Sequence, residues 1–91
     1  MSTVRSLCNR ASKLSGMQVP HFLRRDNSRV PSRVRQAIIY VARADLHYSY
    51  KRIGYHLGHR DHSTIFQQYR RAESLYETNA AFAAFVAELR A

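Results

Sequence analysis

The chain is poor in acid, in cysteine and in continuous apolar sequence, and each shortage removes a class of protein. Only six Asp and Glu stand against fifteen Lys and Arg, a formal net charge of +9 over 91 residues with a pI near 10.6. A single cysteine, Cys8, excludes an intrachain disulfide and is too few for a cysteine-based zinc site. No run of about 18 apolar residues exists, so no membrane span is expected. Arg5, Arg10 and Lys13 interrupt any signal-peptide core, and the expected location is cytoplasmic. No helix combines a basic face with a large exposed apolar one, so a membrane surface is not an expected partner. A Gly-x-x-x-x-Gly-Lys-[Ser/Thr] loop is absent, so no bound nucleotide is expected, and nothing else in the chain asks for a cofactor.

What is present is arginine. Thirteen of the fifteen bases are Arg, whose planar fork suits phosphate oxygens and guanine edges. The charge is uneven: residues 1–44 carry nine bases against Asp26, and residues 45–91 carry six against five. Such a basic half is the electrostatic footprint of a nucleic-acid binder. The apolar share of 45% is ordinary, and the length suits one domain, residues 1–91, with one modest core.

Apolar spacing along the chain is helical throughout, with no strand-like alternation, and predicts an all-α domain of five or six helices. A first helix over about Thr3 to Leu14 places Val4, Leu7, Cys8, Ala11 and Leu14 on one stripe and ends at Gly16. Pro20 suits the start of a short turn whose Val19, Phe22 and Leu23 close the core. Arg24 to Arg35 holds five arginines and one acid, a basic loop running into a helix over about Ser32 to Ala44. That helix, with Val34, Ala37, Ile38, Val41 and Ala42 inward, is the expected centre of the core. Ser49 then caps a short helix to Leu57 that carries Ile53 inward. Gly54 within it suggests close packing against the neighbouring helix. A helix from His62 to about Glu77 buries Ile65, Tyr69, Ala72 and Tyr76, with Phe66 alongside. The last helix, to about Arg90, turns Phe82, Phe85, Val86 and Leu89 inward.

The informative stretch is Gly58-His59-Arg60-Asp61-His62-Ser63-Thr64-Ile65. A glycine closes one apolar helix, and Asp61, a good N-cap, opens the next. His62, Ser63 and Thr64, three compact hydrogen-bonding groups, stand in the exposed first turn. This is the pattern of a helix-turn-helix whose second helix enters the DNA major groove.

The octapeptide also resembles the signature of the DNA-binding C-terminal domain of the bacterial replication initiator DnaA. That signature reads Gly-Gly-Arg-Asp-His, then Thr or Ser, then Thr and an aliphatic residue. Arg33-Val34-Arg35-Gln36 resembles the arginine-rich lead-in to that family's long helix, and Ser49 to Gly54 resembles the start of its helix-turn-helix. The resemblance spans nearly the whole chain and implies a Trp-repressor-like fold. It also implies recognition of short asymmetric duplex sites, the DnaA boxes, in the cytoplasm or nucleoid of a bacterium or from a phage-encoded protein. Residue by residue it makes Arg33 a minor-groove reader and Asp61, His62 and Ser63 major-groove readers. Backbone contacts are expected from Thr64, and from the cations and capping groups around it: Arg24, Arg25, Arg29, Arg35, Ser49, Lys51, Arg52, His59 and Arg60. With no ATPase module in these 91 residues and an initiating Met, the chain reads as a separate DNA-binding domain that regulates replication initiation or transcription. Two departures bear on the target. His59 replaces the second glycine of the signature, and Lys51 stands where the family commonly has proline.

Rival readings of the same residues are weaker. His56, His59 and His62 recur every three residues, but Gly58 breaks their common face and no metal is expected. Asp61, His62 and Ser63 have the residue types of a hydrolase triad, yet sequence neighbours on a helix start point apart, so no enzyme is expected. Tyr40, Tyr48, Tyr50 and Tyr55 suit stacking on single strands or RNA, against simple amphipathic packing. The remaining alternative is an interaction module for an acidic protein partner.

Overall fold

The computed structural model describes residues 3–25 and 28–91. Asp26 and Asn27, part of the expected basic loop, lie outside the described residues. Among these the chain is all-helical: α1 Val4–Ser15, α2 Val19–Leu23, α3 Arg29–Ala44, α4 Tyr50–His56, α5 His62–Thr78 and α6 Ala80–Arg90.

Local chemistry sets most of these boundaries. Thr3 and Ser6 form a reciprocal capping box at the start of α1, and Gly16 ends it at φ 74° with its N–H on the Ser12 carbonyl. Ser49, Asp61 and Asn79 each accept a backbone N–H at the start of α4, α5 and α6. Asn79 also ends α5, so one residue turns the chain between the last two helices.

Helix α3 is the axis of the fold and packs against each of the other five. Ala37, Ile38 and Ala42 are completely buried in it, with Val34, Ile39 and Val41 nearly so. Around them close Leu7 and Ala11 from α1, Phe22 from α2, Ile53 and Leu57 from the α4 end, Ile65 and Ala72 from α5, and Val86 and Leu89 from α6. Arg10 fastens α1 to the far end of the chain by donating to the Leu89 carbonyl, one of the acceptors a helix C-terminus leaves open.

Several expectations need correction. Helix α3 begins at Arg29, three residues before the expected Ser32. Pro31 falls inside its first turn, where a missing N–H forfeits no helical hydrogen bond, so the proline does not delay the helix. Arg29 therefore stands on a helix and not in a loop. Leu14 is 40% exposed, because the last turn of α1 overhangs an open apolar groove of about 360 Å³ shared with Val30, Phe82 and Phe85. Tyr69, Tyr76 and Phe85 are half-buried where full burial was expected. Tyr40 explains the two tyrosines: its ring stacks on Tyr69 at 5.8 Å and on Tyr76 at 5.0 Å. The Arg90 guanidinium lies over the Tyr40 and Tyr76 rings while it forks onto the Asp45 carboxylate at 2.8 Å.

Cys8 is 4% exposed, and burial pushes its thiol up to about 11. A raised folded value favours the protonated thiol. Its contribution to stability is complete below the ordinary value of 9.0 and is lost as the pH climbs towards about 11. At pH 8 a thiol reagent should label Cys8 no faster than the chain opens, and labelling should become immediate beyond the urea transition. Rapid labelling in buffer alone would contradict this burial.

Candidate nucleic-acid interface

Helix α4 ends at His56 with Leu57 as its cap, and Gly58 at φ 79° and His59 at φ 56° follow, two successive left-handed residues. They fold the chain back until the Arg60 N–H reaches the Gly54 carbonyl at 2.9 Å. The return brings the Arg60 carbonyl so near that a Cβ on Gly54 would lie 2.1 Å from its oxygen and 3.3 Å from Ile65 Cγ1. Gly54 is thus required by the turn itself more than by the neighbouring helix. Gly58 is required twice over, by its φ and by the Arg60 guanidinium 2.6 Å from where a Cβ would stand.

Arg60 was expected to contact DNA phosphates, but its guanidinium already serves the protein. Nη1 donates to the carbonyls of Leu23 at 3.0 Å and Leu57 at 2.6 Å, and Nη2 to that of Arg24 at 2.9 Å. Partial burial, then the nearby Arg35 and Arg25, hold its pKa below the usual arginine range. Arg35 is committed likewise. It is 8% exposed, with Nη1 on the Phe22 carbonyl at 2.8 Å and Nη2 on the Ser32 hydroxyl at 3.1 Å.

The N-terminal end of α5 is open. Asp61, His62, Ser63 and Thr64 are all exposed. Asp61 Oδ2 accepts from the Ser63 N–H at 3.0 Å and from the Ser63 hydroxyl, while Oδ1 lies 3.7 Å from His62 Nδ1. Chiefly the Ser63 hydroxyl, then the Ser63 N–H, hold the Asp61 carboxyl below its usual range. The capping stabilisation from Asp61 is therefore present above the ordinary carboxylate pKa and lost as the pH falls through the depressed one. The cap uses one carboxylate oxygen and turns the Ser63 hydroxyl inward, leaving His62 and Thr64 as the uncommitted members of the set.

On α4, Ser49 accepts from the Arg52 N–H at 3.1 Å and Lys51 is exposed. Arg52 lies over the Tyr48 ring at 4.3 Å, and Arg43 over Tyr50 at 4.6 Å. Tyr48 and Tyr50 are thus half-buried under arginines, whereas Tyr55 is 64% exposed. The rings of His56 and His59 meet Tyr55 edge-on at 5.1 Å, while His62 stands at the start of α5, 3.7 Å from Asp61 Oδ1. Among the described residues no three His, Cys, Asp or Glu gather as metal ligands would.

Two polar clefts join α5 to the basic half of the chain. The first, about 590 Å³, lies between Arg25, His59, Asp61, Thr64 and Gln68, with Arg35 and Arg60 in its wall. The second, about 320 Å³, runs between Arg29 and Arg33 on α3 and Arg71 on α5. Arg24, Arg25 and Arg29 are exposed and Arg33 is half-exposed. Sequence reading overlooked two glutamines on these floors. Gln36 is 2% exposed and bridges Arg33 to Gln68. Its signal was an amide set within the apolar run from Val34 to Val41.

The family model described as the bacterial DnaA protein helix-turn-helix matches residues 4–72 of the chain. Comparison with curated proteins gives no match. The matched residues run from the start of α1 through Ala72 and so include both clefts and the turn.

Arg60→Ala leaves three carbonyls without this donor and should destabilise the chain by on the order of 2–3 kcal/mol in urea titration. Arg60→Lys should recover only part of that, because one ammonium lacks the fork that spans two chain segments. A variant as stable as the parent would show that the guanidinium does not hold the turn.

Proposed function

Since the chain belongs to the bacterial DnaA helix-turn-helix family, we propose that it binds duplex DNA selectively at sites resembling DnaA boxes. One observation carries this reading: the exposed N-terminal turn of α5 lines one cleft with Arg25, and Gln68 joins that cleft to a second one walled by Arg29, Arg33 and Arg71. A helix start fits the major groove, and its polar first turn meets base edges there. In this reading His62 and Thr64 carry the major-groove face, with Asp61 and Ser63 shaping it and reaching bases through their remaining lone pairs. Arg33, whose guanidinium keeps four of its five N–H donors after its contact with Gln36, enters the adjacent minor groove.

Phosphate contacts fall to Arg24, Arg25, Arg29, Lys51, Arg52 and His59, with Ser49 at the start of α4. Arg35 and Arg60 leave this set, because their guanidinium groups are engaged on the protein's own carbonyls. The basic grip is therefore a helix start plus a short loop. Occupying such sites would compete with an initiator for them or control promoters that contain them. Among the described residues no helix is long and apolar enough to cross a membrane.

Selection from random duplexes should yield a recurrent site. On that site Arg33→Ala and His62→Ala should each weaken binding by about 1–3 kcal/mol, with scrambled duplex much less affected. Arg24→Ala or Arg29→Ala should weaken every duplex alike and flatten the salt dependence by about one counterion each. Equal losses on both duplexes for the first pair would remove their role as readers. A preference for RNA, single strands or an acidic peptide in competition would replace the duplex reading altogether.

A further inference from the structure

The most unexpected polar group in the core is the amide of Gln36. It is 2% exposed on the central helix, among Val34, Ala37, Ile38 and Ile39. Its Oε1 accepts from Arg33 Nη1 at 3.0 Å, and its Nε2 donates to Gln68 Oε1 on α5 at 2.7 Å. The direction of this relay is dictated by chemistry. Arginine can only donate, so the Gln36 oxygen must face it, the Gln36 nitrogen must face α5, and Gln68 must answer with its oxygen. The Gln68 amide nitrogen is left as a donor at the junction of the two clefts that Gln68 lines.

Stability does not account for this arrangement. A buried amide with both ends bonded contributes little more than an apolar side chain of the same shape, and a half-bonded one is costly. What the relay does provide is position. It ties the arginine that projects from the first turns of α3 to the reading helix, across the cleft between them. We infer that Gln36 is a positioning residue: through Gln68 it fixes the reach of Arg33 relative to the N-terminal turn of α5, and so the spacing between the two groove contacts. This rests on Arg33 being a sequence reader. In the free protein the relay restrains one nitrogen of the Arg33 fork and leaves the rest of the fork to approach DNA, so the side chain is ordered before binding. Sites whose major- and minor-groove features match that fixed spacing are favoured over sites that offer the same bases at another offset.

The test is a double-mutant cycle on the full chain with the duplex recovered by selection and a scrambled duplex. Gln36→Leu keeps volume and burial while deleting both hydrogen bonds. It should weaken binding to the selected duplex about three- to tenfold, leave the scrambled duplex within about twofold, and cost nothing further in an Arg33→Ala background. Gln68→Leu breaks the relay from its half-exposed end, where folding is least at risk, and should give the same Arg33-dependent, selective loss. A loss that persists undiminished in the Arg33→Ala background overturns the inference, as does an equal loss on both duplexes or none on either. The two levels separate cleanly. If Arg33→Ala itself shows no selective loss, the reader assignment fails and takes the relay with it. If Arg33→Ala is selective while both glutamine variants are silent, the relay alone is wrong.

Discussion

The interface depends on one guanidinium. Two left-handed residues between α4 and α5 make a return so tight that backbone lies against backbone at Gly54. Around this turn the carbonyls of Leu57, at the end of α4, and of Leu23 and Arg24, at the end of α2, all lack helical partners. Arg60 answers all three with a single fork. A neutral donor could satisfy one or two carbonyls; only a planar cation with donors on separate nitrogens spans both chain segments. The result is that the start of the basic loop is tied to the start of the reading helix. Arg25 and Thr64 share one cleft because Arg60 holds its wall in place.

That constraint also sorts the arginines. Side chains two apart on a helix point nearly opposite ways, so Arg33 and Arg35 on α3 cannot share a role. One turns to the cleft; the other turns under the α2 end and donates to Phe22 and Ser32. Among the described residues Arg90 pairs with Asp45, while the Asp61 carboxylate caps α5 and lines the first cleft with Arg25. Arg29, Arg33 and Arg71 face one another across the second cleft, whose lining includes no carboxylate. Such an array is self-repelling alone and is relieved by a polyanion whose charges recur along a line.

How far the sequence disclosed this follows from where each signal came from. The inner face of α3, and Ile65 and Ala72 of α5, were legible because apolar periodicity reports burial, and Ser49, Asp61 and Gly58 because caps and turns have local chemistry. The start of α3 was misplaced because proline reads as a breaker when its position within the first turn is unknown. The fate of Arg35 and Arg60 was not legible at all. Whether an arginine serves phosphate or its own backbone depends on which carbonyls tertiary packing leaves open, and Phe22 and Leu23 are more than ten residues away in sequence. The same holds for Gln36, whose partner Gln68 lies 32 residues on.

His59 is where the local rule and the proposed task of the site diverge most clearly. A non-glycine residue in the left-handed region costs about 1–2 kcal/mol, and the signature this stretch resembles has glycine at that place. The turn demands the conformation in any case, because the Arg60 N–H must come back to the Gly54 carbonyl. What the imidazole adds is therefore not a better turn but a side chain, braced edge-on by Tyr55 and lining the cleft with Arg25 and Thr64. A strained residue persists where its surroundings over-determine it, and here the gain is a donor at the mouth of the cleft nearest the reading helix. If His59 meets phosphate as proposed, it fixes how the domain sits on the duplex, and a target that differs from that of a glycine-bearing relative follows from that register and not from a base contact of its own.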